Sequence, residues 1–282
     1  FIVFNETNYP QFTALLKELN VASQPSDMSF GVSCNHCRLE YSSHGLPGLF
    51  AQRSQLLRPR VYQMAVDILR FNAWGRRQIA THSESLQATI GSLRDSQQFG
   101  DYFFRHYLIP MTSAIWSSTA SDSEHFPLPL FLQFFANHGL LQIHGHPPWR
   151  TIIGGRQRYI AALVRPFQKC IRLRTTVDCI QRNDGGVKIH TADNGWECYD
   201  KVVIATHPDH ALNLLETPTQ DETDSLGIIP YRKNVAVLHT DRTVLPRSPR
   251  AWASWNYDIE NCCNSQTPLR MTYYLNRLQR LD

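Results

Sequence analysis

Residues 149–208 read WRTIIGGRQRYIAALVRPFQKCIRLRTTVDCIQRNDGGVKIHTADNGWECYDKVVIATHP, and this stretch decides the fold. Gly154 and Gly155 allow a tight backbone turn. An amphipathic helix over 157–164, or as far as 167, follows it. A strand is expected at 171–173. The segments 177–180, 187–189 and 196–199 predict a three-stranded meander, with turns at Asn183-Asp184-Gly185-Gly186 and Asp193-Asn194-Gly195, where Asn-Gly is a strong hairpin signal. Residues 201–205 read as a buried-type strand. Pro208 turns the chain into a helix ending near 215.

Upstream, residues 1–4 form an apolar extended segment. Asn8 is placed to cap a helix that has Pro10 in its first turn, with Phe12, Leu15, Leu16 and Leu19 on one face. Residues 29–33 and 38–41 alternate as paired strands, which puts Cys34-Asn-His-Cys37 at a hairpin tip. An exposed loop is expected at 42–48. A helix spans 59–80, and Arg58 and Arg60 at its start hint at a nearby anion, although a surface arginine is the commoner reading. Ser92-Leu93-Arg94-Asp95 resembles a capping box. Residues 99–109 carry Phe99, Tyr102, Phe103, Phe104 and Tyr107, and Pro110 should break or kink their helix. Another helix holds Leu130, Phe131, Phe134 and Phe135 and ends at His138-Gly139. The whole 59–140 region should be helical, its aromatic surface forming core and also the wall of a pocket for a long apolar ligand. Downstream, 218–225 reads as a polar connection. Strands at 235–238, 251–255 and 271–275 belong to a sheet facing the aromatic helices.

The composition is globular, 42% hydrophobic and 18% charged. A net charge of +4 comes from scattered arginines, with five lysines in all. Nucleic-acid binding would want one dense basic face and is set aside; an anionic lipid surface or acidic substrate suits this charge better. The seven cysteines are odd in number and irregularly spaced, which indicates thiols in a cytoplasmic-type compartment. Cys34 and Cys37 form one CxxC. Zinc would need a second pair or suitably spaced histidines. His36 and His44 are the local candidates, but a plain hairpin tip fits better, so no metal is assigned. His138, His144 and His146 cluster in sequence, where loop solvation accounts for them. His207 sits at a strand end, a place where α/β folds put ligands. No apolar run approaches a membrane span. The chain starts without Met inside a strand-like segment, so we read it as an internal fragment.

No nucleophile elbow, HExxH or phosphate loop is present. The Gly-Gly turn, helix, meander and Pro208-terminated strand resemble the middle of the FAD-dependent amine oxidase and phytoene-desaturase superfamily. FIVFNETNYPQFTALLKELNV, QPSDMSFGVS, YLIPMTSAIWS, FFANHGLL, VVIATHPDHAL and RAWASWNY extend the resemblance across the chain, to flavin-containing amine oxidoreductases predicted to bind NAD or FAD. It implies a mixed α/β fold, in which an incomplete Rossmann-like FAD/NAD(P)-binding domain is interleaved with a helical and β-sheet substrate domain. On this reading 1–58 bridges the two domains, 59–148 is helical substrate domain, 149–215 is the middle of the FAD domain and 216–282 is substrate-domain sheet. The N-terminal GxGxxG turn and the C-terminal flavin segment of such proteins are not in this sequence.

By position, the resemblance implies that the Val177 backbone meets the adenine of FAD. Ala205, Thr206 and Pro208 would line the dinucleotide channel, with Phe4 and Asn5 as weaker neighbours. Trp252, Trp255, Asn256 and Tyr257 are substrate-pocket candidates, and no catalytic residue is assigned. Flavin would take a hydride from an apolar substrate, lipid or fatty-acyl in class, and pass electrons to oxygen or another acceptor. The alternatives are a non-catalytic lipid-binding or structural remnant of the fold, and a zinc or redox module built on Cys34 and Cys37. The expected location is cytoplasmic, with peripheral membrane contact.

Overall fold

A computed structural model describes residues 2–81, 87–142, 145–183, 185–229, 231, 233–264 and 270–281. Phe1, Asp184 and His144, read above into a strand, a turn and a histidine cluster, lie outside them. The strands are β1 Val3–Phe4, β2 Ser23–Pro25, β3 Phe30–Cys34, β4 Leu39–Ser42, β5 Arg150–Ile152, β6 Val177–Asn183, β7 Gly186–Thr191, β8 Gly195–Tyr199, β9 Trp255–Ile259 and β10 Met271–Tyr273. The chain divides into two compact units, residues 1–164 with 239–282, and residues 165–238.

The first unit holds two open sheets. In one, β5 lies between β1 and β2, antiparallel to both. Gly154 and Gly155 leave this sheet at φ +77° and +78°, a region that glycine enters without a Cβ clash, and the Gln157–Val164 helix begins two residues later. The other sheet has the order β10-β9-β3-β4. Its β3–β4 hairpin is antiparallel, whereas β3 and β9 run parallel with Phe30 opposite Trp255 and Cys34 opposite Ile259.

Alternation gives the second sheet one apolar face. Phe30, Val32, Cys34, Tyr257 and Ile259 join the main core with the helices Pro59–Thr81 and Leu128–Asn137. Phe71 is fully buried there, its ring 5.5 Å from Phe103, 5.7 Å from Phe99 and 6.1 Å from Phe131. Gly75 keeps the helices close, because a Cβ on it would stand 3.0 Å from Leu132 Cδ2. The aromatic rings of 99–135 thus pack largely on one another.

Pro110 does not break its helix. Asp101–Phe103 passes through a π-helical turn, Phe104–Leu108, into Ile109–Trp116. Proline offers no N–H to the carbonyl four residues back, His106, and its ring crowds that turn. The wider turn relieves the crowding, and the Tyr41 hydroxyl donates to the His106 carbonyl at 2.7 Å.

The second unit is the predicted meander, in the order β6-β7-β8, with the helices Pro208–Leu214 and Gln220–Gly227. Arg182 grips Glu222 with both guanidinium nitrogens, at 2.7 and 3.0 Å, and the Glu216 N–H reaches the Ile180 carbonyl. Among its described residues just Ile180, Thr191 and Ala211 are buried.

Several expectations are corrected. The segments 171–173, 201–205 and 235–238 form no strand; Leu173, Val203 and Leu238 are 81%, 91% and 88% exposed. β-prone side chains need a paired neighbour, and no described strand is paired with these segments. Residues 218–225 are mostly helix, because Thr219 and Glu222 close a capping box. The same device starts the Ile90–Asp95 helix from Thr89 with Ser92, one turn ahead of the cap read at Ser92. Tyr9 stands at the N-cap of Pro10–Glu18; Asn8 instead donates its N–H to Asn5 Oδ1. The 42–48 loop contains the start of a short helix, Gly45–Leu49. In place of a strand over 251–255 there is a 3₁₀ turn, Pro249–Ala251, before β9. The strand predicted at 271–275 ends at Tyr273, and a helix, Leu275–Gln279, follows.

Phe71→Ala should lower the stability of the first unit by about 3–5 kcal/mol, and Phe71→Leu by less, since Ala leaves a cavity among rings already locked in place. Urea unfolding followed by tryptophan fluorescence measures both.

Candidate functional site

Trp252 borders a surface cleft of about 670 Å³ in the first unit, together with Asp27, His44, Gly48, Arg250 and Arg277. Its indole N–H donates to the Pro246 carbonyl at 2.7 Å, and its own carbonyl accepts from Arg277. Arg277 also donates to His44 Nε2 at 3.1 Å. Asp27 Oδ2 lies 3.6 Å from the same His44 nitrogen and 3.9 Å from Arg277 Nε. A carboxylate, an imidazole and a guanidinium therefore converge at the mouth of a cleft with one aromatic wall. Such a group of side chains can hold a polar or charged end of a ligand.

The other three substrate candidates stand differently. Trp255 and Tyr257 lie on the β9 face that packs on the aromatic helices, and burial raises the Tyr257 hydroxyl pKa above its ordinary value. The Trp255 indole N–H is buried without a partner. Asn256 points to the opposite face. Its Oδ1 accepts from the Ala253 N–H at 2.9 Å, and its Nδ2 donates to the Ala253 carbonyl at 2.6 Å. These bonds fix the bend that carries Trp252 into β9. The approach is close enough that a Cβ on Gly31 would meet the Ala251 carbonyl at 2.8 Å.

The cofactor candidates fall in both units. In the first, Phe4 ends β1 and Asn5 follows it. Phe4 is buried edge-on to Phe12 at 5.2 Å. Asn5 is fully buried; its Oδ1 accepts from Asn8, while its Nδ2 has no partner, an unpaired donor that would bind an incoming acceptor. In the second unit, Val177 begins β6, an edge strand with a bulge between Val177 and Cys179. An edge strand keeps backbone groups that its ladder does not use. Ala205 and Thr206 are exposed, the Thr206 hydroxyl donating to the His207 carbonyl at 3.2 Å, and Pro208 opens its helix. A cavity of about 520 Å³ is lined by Ile180, Val187, Val202, Ile204 and Ala211, next in sequence to Ala205 but not including it or Val177.

A family model described as flavin containing amine oxidoreductase matches residues 1–269. Among solved structures, a cofactor-site redesign of putrescine oxidase, a double mutant, aligns at TM-score 0.57 and 11% identity, over 80% of this chain and 51% of that one. Wild-type putrescine oxidase bound to putrescine aligns at 0.54 and 12%, over 80% and 51%. The chain spans about half the length of these structures, and at this identity the likeness shows a shared fold, mixed α/β with open sheets joined to a helical region. No curated protein sequence matches the chain.

Asn256→Ala strips three hydrogen bonds, two of them within a buried bend, and should destabilise the protein by about 2–3 kcal/mol. Chemical unfolding checks this. Unchanged stability with altered ligand binding would instead assign Asn256 to a pocket.

Proposed function

The chain belongs to the flavin containing amine oxidoreductase family, and from that premise we propose that the whole protein is an FAD-dependent oxidoreductase that takes a hydride from a largely apolar, lipid or fatty-acyl, substrate. The observation that carries the reading is the family match over residues 1–269, nearly the full chain. Support comes from the Gly154-Gly155 turn and the three-stranded meander, both formed in the structure and both among the features on which the resemblance rests. The unpaired Asn5 Nδ2 and the edge position of Val177 fit a polar dinucleotide.

In this reading Val177 offers backbone groups to the adenine. Ala205, Thr206 and Pro208 border the dinucleotide, while Phe4 and Asn5 approach the flavin side. Bound flavin supplies the hydride acceptor. The chain's own work is to align the donor carbon and exclude water. Trp252 is the substrate-side residue that reaches a cleft, and Asn256 positions it. Trp255 and Tyr257 shape the apolar interior behind. The aromatic rings of 99–135 are packed as core and line neither described cleft, so the apolar substrate rests on the resemblance, and the Asp27, His44 and Arg277 group suits a carboxylate or other polar head at its end. The seven cysteines, all unpaired, support a reducing, cytoplasmic location. No described helix is long and apolar enough to cross a membrane; peripheral membrane contact is the route proposed for a lipid substrate.

The purified full-length protein should show the absorbance bands of bound flavin, and a colourless protein that takes up no added FAD would overturn the proposal. Anaerobic mixing then tests the substrate class. Bleaching by long-chain acyl compounds supports the apolar reading, whereas bleaching by putrescine alone keeps the oxidoreductase and removes the lipid.

A further inference from the structure

A second cluster lies in the first unit and plays no part in the flavin proposal. Cys34 ends β3, and Cys37 lies in the hairpin that follows. His106 comes from the π-helical turn and Cys262 from the loop after β9. The three sulfurs and one ring nitrogen all lie within 4.8 Å of one another. Cys34 and His106 are buried, Cys37 and Cys262 half-buried. Cys37 Sγ is 3.2 Å from His106 Nε2.

We propose that Cys34, Cys37, His106 and Cys262 form a structural zinc site. Thiolate and imidazole are the donors that zinc prefers, and four of them with no open position make a structural rather than a catalytic centre. Bonds of about 2.3 Å from zinc to sulfur put tetrahedral ligands about 3.8 Å apart, a separation inside the 4.8 Å that bounds these four atoms. The surroundings are those of a prepared site. His106 Nδ1 lies 3.0 Å from the Tyr102 carbonyl, which only an Nδ1–H can satisfy as donor. That tautomer leaves the Nε2 lone pair facing the sulfurs, the second-shell arrangement found behind metal-bound histidines. Arg58 donates to the Cys37 carbonyl at 3.0 Å, and Arg105 to the Cys262 carbonyl at 3.1 Å. Three thiolates on a divalent ion leave net negative charge, and these two guanidinium groups offset it.

The ligands come from parts of the chain that β3 and β9 bring together. The Asn35 N–H donates to the Ile259 carbonyl at 2.8 Å, tying the hairpin to the strand that leads to Cys262. His36, 3.5 Å from Cys262 Sγ, is exposed and stands outside the group of four.

The full-length protein, expressed with zinc and dialysed against a weak chelator, should retain one zinc per chain by plasma mass spectrometry. Cys37→Ser and Cys262→Ser should each weaken retention by more than the about 10–100-fold that loss of an outer-shell partner costs. Cys263→Ser and His36→Ala should retain zinc. If the ligand variants fail to fold, wild-type protein carrying Co²⁺ decides: intense visible bands of tetrahedral thiolate coordination support the site, and the weak bands of octahedral cobalt overturn it. Wild-type protein without stoichiometric zinc, or with Cys34 and Cys37 joined as a disulfide, also overturns it.

Discussion

The parallel pairing of β3 with β9 is the constraint on which the first unit depends. It joins segments more than two hundred residues apart, and no local turn sets its register. Closing so long a loop costs entropy that the pair must recover. Recovery comes from both faces. On one, Phe30, Val32, Tyr257 and Ile259 press on the aromatic helices. On the other, buried polar groups pair across the sheet. The Ser254 N–H donates to Ser29 Oγ, and the Trp255 N–H to the Ser29 carbonyl. Glu40, at the next strand over, accepts from the N–H groups of Arg247 and Ser248 at 3.1 and 2.8 Å. Mispairing by one residue would turn the apolar set away from the core and leave these groups unmatched.

A second consequence follows at Pro110. Proline forces a wide turn, and the wide turn leaves the His106 carbonyl to be completed by Tyr41 from β4. Helix and sheet are thereby locked at the spot where Cys34, Cys37 and His106 meet. The departure from regular helix and the clustering of ligands have one cause. The cleft at Trp252 arises in a related way, since Asn256 spends its amide on the Ala253 bend before β9 and on the Thr272 carbonyl of β10.

Much of this was legible in the residues. The Gly-Gly turn, the 157–164 helix and the three meander strands carry local signals that need no distant partner. So do the β3–β4 hairpin and the helix end at His138-Gly139. The segments 201–205 and 235–238 carry equally good β-propensity and still form no strand, because propensity does not supply a neighbour. Thr219-x-x-Glu222 was a readable helix start hidden in a stretch that looked only polar. The histidine of the Cys cluster could not be found from spacing. It lies far along the chain from Cys37 and is delivered by a helix packed on the sheet. For the flavin residues, the resemblance supplied positions, and local chemistry alone would have singled out none of them except the buried Asn5.

Amide hydrogen exchange read by mass spectrometry tests the central pairing most directly. Peptides covering 30–34 and 255–259 should be the slowest to exchange and should lose protection together, because each strand is held by the other and both lie in the main core. The meander, with three buried residues among the described ones of its unit, should exchange sooner. Protection of β3 that persists after β9 has exchanged would show that the two strands are not one cooperative element, and would contradict the account.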